Sequence, residues 1–374
     1  MSQATPGYRP QLDGLRAVAV SLVLVHHFWP DLHPVVWHAG HLGVRLFFVL
    51  SGFLITAQLL AARTGAANTG PILRRFYWRR AWRLLPAYYA CLFVMLALDA
   101  EGIRGSAGWH LAHLSNIHFA WNATWDPWVA NHFWSLAVEE QFYLLWPAIL
   151  LALPVRALPA ACLAGLAIGP LFRLLGAFLG WNDMAMLGLL PASLDALAAG
   201  CLLAVVGPSL PGRGAGPAGF ALLLFSLALP FSGEGGPLAA ALPDLLALPF
   251  LVWLVARADR GFGGVAGRLL QHPWPVGLGR ISYGVYLWHP LLLWGAGQLG
   301  ERTGWWEQAT GPWGLALLAP LSIALAALSW VLIERPSMRL RDRWDAGRTA
   351  VGGITAPPPS LPGGDRPHPR APRA

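Results

Sequence analysis

The chain has 374 residues, 56% of them hydrophobic and 12% charged, with a mean hydropathy of +0.50. Soluble domains carry about 25% charged residues, so a level near half of that excludes an ordinary soluble globular domain and points to a bilayer. The formal net charge of +8 comes from 26 cationic side chains, all arginine, spread over several loops without the aromatic and basic interleaving of a nucleic-acid surface.

A hydrocarbon core about 30 Å thick takes about 17–25 apolar residues per helix. Ten segments are read as spans, at 13–30, 41–62, 84–99, 132–153, 157–178, 185–206, 218–232, 238–256, 276–299 and 312–333. The fold class predicted is therefore all-α, a polytopic membrane protein. The seventh and eighth spans are the weakest, broken by proline and glycine. No small-x-small cleavage pattern follows the first span, so it is not read as a cleaved signal peptide. Residues 1–344 form the membrane-embedded domain. Residues 345–374, rich in Pro, Gly and Arg, predict a disordered cytoplasmic tail, because so few large apolar side chains cannot bury a core. Cys91, Cys162 and Cys201 stand singly in apolar runs and read as small buried hydrophobes.

Charge tests the topology. With the N-terminus inside, 63–83 is an inner loop with Arg63, Arg74, Arg75, Arg79, Arg80 and Arg83. The inner segment 257–280 and the region after residue 334 hold most of the other arginines. The outer loops hold only Arg104 and Arg302, while Arg45 and Arg173 lie inside spans. This asymmetry follows the positive-inside rule and places both termini in the cytoplasm.

Polar groups inside a span are costly, and each is a candidate site residue. The first span reads LDGLRAVAVSLVLVHHFWP, residues 12–30. Arg16 and His27 are eleven residues apart, close to three helical turns, so they share one face about 16 Å apart along the axis. Asp13 lies one turn before Arg16, at neighbour spacing. A cation near the inner edge suits an anionic head group. An imidazole deeper in the bilayer suits a base or nucleophile, although a lone membrane histidine also serves to pack helices. Arg80 and Arg83, one turn apart, can clamp one phosphate bidentately or anchor the helix at lipid phosphates. Glu139, Glu140, Asp195 and His289 complete the set. His289 reads equally as a site group or a packing residue. Arg45 is expected to neutralise Glu139 or Glu140. His110, His113 and His118 match no strong metal signature, so no metal is expected.

These stretches resemble the integral-membrane acyltransferase 3 family. The resemblance rests on LDGLRAVAVSLVLVHH with Arg16 and His27, GVRLFFVLSGFLIT at 43–56, RRAWRLLPAYY with Arg80 and Arg83, FWSLAVEEQFYLLWP around Glu139, ISYGVYLWHPLLL and IERP. The motifs run in the family's order over residues 8–340. The resemblance implies transfer of an acyl group, usually acetyl, from cytoplasmic acyl-CoA to a hydroxyl of a carbohydrate or other acceptor, in the bacterial cytoplasmic (inner) membrane. It assigns His27 and Glu139 to catalysis, and Arg16, Arg80 and Arg83 to the donor. Asp13, Arg79, Gln141, Ser282, Tyr286, His289 and Glu334 are support. Acyl-CoA, the hydroxyl acceptor and membrane lipids are the partners implied, with no nucleic acid. The short tail suggests the stand-alone form, without a soluble hydrolase-like domain. Relatives often carry an arginine where Ser193 stands, which leaves the partner of Asp195 open. A transporter or exporter is the alternative, but no internal repeat supports it.

Overall fold

The computed structural model describes residues 8–30, 35–65, 68–207, 215–229, 236–303 and 310–351. Among them there is helix and no strand. The long helices are α1 (Pro10–Phe28), α2 (Val35–Arg63), α3 (Gly70–Leu98), α4 (Phe133–Ala152) and α5 (Leu158–Phe178). They continue as α6 (Leu190–Val206), α7 (Ala215–Leu227), α8 (Gly236–Arg260), α9 (Ser282–Thr303) and α10 (Gly311–Ser329). A π-helical turn, Trp330–Glu334, joins α10 to α11 (Arg335–Val351). Helix α11 carries the chain into the expected tail, and residues 352–374 of that tail lie outside the described residues.

Each of the ten expected spans overlaps one of α1–α10, although 185–188 and 276–280 fall on short separate helices before α6 and α9, and 230–232 lie outside the described residues. Length and composition alone qualify six stretches to cross a membrane, carried by α2, α3, α5, α6, α8 and α10. Three of the four others, α1, α4 and α9, carry the candidate site residues, whose polarity lowers the hydropathy of their helices. The fourth, α7, is a 13-residue helix.

Local chemistry sets the ends. Pro10 opens α1 in the first turn, where a missing N–H costs nothing, and Pro30 stops it just after the histidine pair. Helix α3 begins fourteen residues earlier than its apolar run, at Gly70 instead of 84. Charge ends a hydrophobic stretch but does not end a helix, and arginine is a good helix former. The arginine segment is thus a direct extension of α3.

Helix α1 packs on α2, α9, α10 and the short helices Gly264–Leu270 and Pro273–Arg280. Helices α2 and α6 cross closely at Gly52 and Gly200. A Cβ on Gly52 would overlap the Leu197 carbonyl, and one on Gly200 the Val49 carbonyl. Gly200→Val is expected to push the two helices apart and destabilise the protein by about 1–3 kcal/mol. Thermal unfolding in detergent checks this, and an unchanged midpoint would show that the crossing is loose.

Four of these helices are also joined by charge. Arg45 of α2 meets Asp195 of α6 at 2.8 Å and Asp244 of α8 at 3.6 Å. Arg173 of α5 meets the same two carboxylates at 2.6 and 3.5 Å, and its guanidinium also donates to the Ala192 carbonyl. His41 of α2 lies 2.6 Å from Asp244. Arg45 is therefore not the partner of Glu139 or Glu140. The partners of Asp195 are Arg45 and Arg173. Two cations against two carboxylates make a balanced set, as burial in the bundle demands. Cys91, Cys162 and Cys201 are buried and free.

Candidate active site

The site is built on α1, α3, α4 and α9. Helix α1 carries Arg16 and His27 on one face, and α9 brings His289 against the second of these. The Nδ1 atom of His27 lies 3.2 Å from the Val23 carbonyl and 3.1 Å from Nε2 of His289. On its other side His289 is anchored through Nδ1, 2.8 Å from the Tyr286 carbonyl and 3.3 Å from that of Val285. His27 also meets Trp128 edge-on at 5.9 Å and His26 at 4.8 Å. Among the described residues, Nε2 of His27 has no hydrogen-bond partner.

His132, at the junction before α4, is the group that sequence reading missed. Its ring lies 5.6 Å from His289, and its Nε2 is 3.1 Å from the Leu287 carbonyl. It is the first residue of an expected span, and it was not among the polar groups singled out there. Tyr286 hydrogen-bonds Ser135 at 2.5 Å beside it. Ser282 is buried at the start of α9, two turns before His289 on nearly the same face.

Glu139 does not touch the imidazole. It accepts a hydrogen bond from Ser51 at 2.6 Å, and Ser51 in turn accepts one from Tyr143 at 2.9 Å. The Arg80 guanidinium stacks 3.4 Å above the Tyr143 ring, a cation–π contact that strengthens when desolvated. A continuous line of contacts, Arg80–Tyr143–Ser51–Glu139, thus runs from the arginine motif to the carboxylate. Tyr143 stands four residues after Glu139 on α4, at neighbour spacing, whereas Ser51 reaches Glu139 from 88 residues away and no local spacing pointed to it.

Arg83 interacts electrostatically with Arg16 and Arg80, and with the carboxylates of Glu334 and Asp13. Arg16 and Arg80 act on Glu139 as well. Arg83 keeps exposed surface, and Nε of Arg80 is buried without a partner. Asp13 lies 3.5 Å from Arg16 and accepts from Tyr8 at 2.8 Å. Glu334, in the π-helical turn, accepts from Ser329 at 3.3 Å. Arg79 is not brought into this cluster. Its charged neighbours are Arg75, Arg341, Asp342 and Asp345. Gln141 is turned to the segment before α4, where its amide pairs with Asn116 at 2.9 and 3.3 Å. In the same layer His110 hydrogen-bonds Ser106 and Ser115 at 3.0 and 2.8 Å. Burial pushes the imidazoles of His110 and His113 down to about 4.

A cavity of about 810 Å³ runs along the opposite face of α1, between Ala17, Ser21, Val25 and Trp274. It holds none of the site residues, and its walls are nearly all apolar.

A family model described as an acyltransferase domain matches residues 9–331. The chain belongs to this acyltransferase family. The chain is 30% identical over 373 residues to YrhL of Bacillus subtilis (strain 168), provisionally named a peptidoglycan O-acetyltransferase, covering 88% of this chain and 55% of that one. It is 38% identical over 160 residues to the peptidoglycan O-acetyltransferase OatA of Listeria monocytogenes, covering 38% of this chain and 24% of that one. A Staphylococcus aureus (strain MSSA476) protein provisionally named an O-acetyltransferase is 37% identical over 163 residues, 39% of this chain and 25% of that one. The chain thus spans about half the length of YrhL and a quarter of the other two. No solved structure matches it.

Proposed function

We propose that the chain moves an acetyl group from acyl-CoA, bound at the cytoplasmic face, to a hydroxyl of a carbohydrate acceptor such as a peptidoglycan sugar. In this reading all ten long helices cross the bacterial cytoplasmic membrane and both termini are cytoplasmic. The observation that carries it is the unpartnered Nε2 of His27, among the described residues, on the same helix face as Arg16, with Arg80 and Arg83 in the same electrostatic neighbourhood.

Acyl-CoA has a phosphorylated head and a long thin arm that ends in a thioester. Three arginines, one of them with an unpartnered buried nitrogen, suit the phosphates, because guanidinium binds phosphate oxygens in bidentate fashion. The axial distance of about 16 Å from Arg16 to His27 suits the arm. His27 then acts in one of two ways. As a general base, Nε2 takes the proton of the acceptor hydroxyl while its oxygen attacks the thioester carbon, and the proton ends on the departing thiolate. As a nucleophile, Nε2 itself attacks the thioester carbon, expels the thiolate and holds the acetyl group, then yields it to the acceptor hydroxyl, whose proton ends on the thiolate. Glu139, held by Ser51 and Tyr143, binds or orients the acceptor. Relatives named for peptidoglycan support a glycan acceptor.

Arg83→Ala is expected to raise the KM for acetyl-CoA about tenfold or more, since a hydrogen bond to a charged group contributes about 1.5–3 kcal/mol, with kcat changed far less. Steady-state kinetics over a range of acetyl-CoA checks this. A fall in kcat alone would remove Arg83 from donor binding.

A further inference from the structure

The hydrogen bonds around His289 decide which nitrogen of His27 carries its proton. A carbonyl oxygen can only accept. The Nδ1 of His289, beside the carbonyls of Tyr286 and Val285, is therefore the protonated nitrogen of a neutral ring. Its Nε2 is left with a lone pair. That lone pair faces Nδ1 of His27 at 3.1 Å, and the same Nδ1 faces the Val23 carbonyl. Both neighbours of Nδ1 are acceptors, so this nitrogen holds the hydrogen and shares it between them. Nε2 of His27 is then the nitrogen with the free lone pair, and none of the described residues hydrogen-bonds it.

From this geometry we infer that His289 is a positioning residue: it holds His27 in the Nδ1–H form and makes Nε2 the reacting nitrogen. The inference rests on the reading that His27 does the chemistry. When Nε2 takes a proton or an acyl group, the ring becomes cationic and its Nδ1–H bond to His289 becomes charge-assisted, which strengthens it. His289 so occupies the place that an acceptor behind a catalytic imidazole holds in a triad, with a neutral ring instead of a carboxylate. A neutral partner is the cheaper choice inside a membrane, where an unpaired carboxylate would be costly. The packing supports the role. His289 is fully buried, and its own Nδ1 contacts hold the ring at two points. His132 differs, because its Nε2 contacts a carbonyl and its Nδ1 is a buried orphan, so it is no link in this chain.

The test is nitrogen NMR of the full-length protein in nanodiscs, with 15N-labelled histidine. The His27 signals are identified by their loss in His27→Ala. Neutral His27 in the wild type should show a protonated Nδ1 and an unprotonated Nε2. In His289→Ala a substantial Nε2–H population should appear. In His289→Gln, whose amide oxygen can accept in place of the lost Nε2, the wild-type pattern should return. In parallel, kcat for acetyl transfer should fall about 10- to 100-fold in His289→Ala, with an unchanged KM for the donor and partial recovery in His289→Gln. An Nε2–H form of His27 in the wild type overturns the inference. So does an unaltered His27 tautomer in His289→Ala, which would mean that Val23 alone suffices. If His289→Ala does not fold, His289→Leu, which fills the site but accepts no hydrogen bond, takes its place in the comparison. The spectra need no donor, so a failure of the acyl-CoA reading would leave the tautomer result standing and is told apart from it.

Discussion

His27→Ala should lower acetyl transfer at least about a thousandfold, within the range ascribed to a positioned general base or nucleophile, and should leave donor affinity within about twofold. His27 lies near the C-terminus of α1, and its ring touches His289, His26 and Trp128. Truncation removes no charge from the donor cluster and breaks no ion pair, so the folded state should persist. The two mechanisms part at this residue. If Nε2 is acylated, the wild type incubated with acetyl-CoA and no acceptor should gain an acetyl mass on the His27 peptide. If Nε2 is only a base, no such adduct forms in a single turnover. Retention of more than a tenth of the wild-type rate in His27→Ala would remove this residue from the chemistry altogether.

Asp195→Leu should destabilise the protein by about 3–5 kcal/mol, as measured by thermal unfolding in detergent. Removing one partner of a buried ionic set leaves an uncompensated charge, and that residual charge sets the penalty. Here Arg45 and Arg173 would both face Asp244 alone, inside the bundle, where each is almost fully buried. The double variant Arg45→Met with Asp195→Leu removes one charge of each sign and restores the balance. It should regain most of the loss. Equal destabilisation in the single and double variants would show that packing, not charge, sets the cost.

How far the sequence reaches is seen in these same residues. The face shared by Arg16 and His27 was legible, because both lie on one helix and the helical repeat fixes their relation. The pairing of Arg80 with Arg83 was legible for the same reason. The ring of His289 against His27 was not, because it joins positions 262 residues apart, and no local period carries that information. The four-helix ionic set was hidden in the same way. Arg45, Arg173 and Asp195 were read as intramembrane charges with no link between them, Asp244 was not singled out, and Arg45 was matched to the wrong carboxylates. The support residues divided on orientation: Glu334 reaches the arginine cluster, whereas Arg79 faces α11 and Gln141 faces Asn116. The start of α3 was misplaced for another reason. Hydropathy reports where a helix meets lipid, and the helix itself continues through the arginines to Gly70.

The central claim is that acyl-CoA binds at the arginines and reacts at His27. It is tested most directly by measuring acetyl-CoA binding and CoA release on the purified protein in detergent, for the wild type, His27→Ala and Arg83→Ala. The predicted result is that the wild type binds acetyl-CoA and slowly releases CoA, His27→Ala binds without release, and Arg83→Ala binds about tenfold or more weakly. A wild type with no affinity for any acyl-CoA would contradict the account.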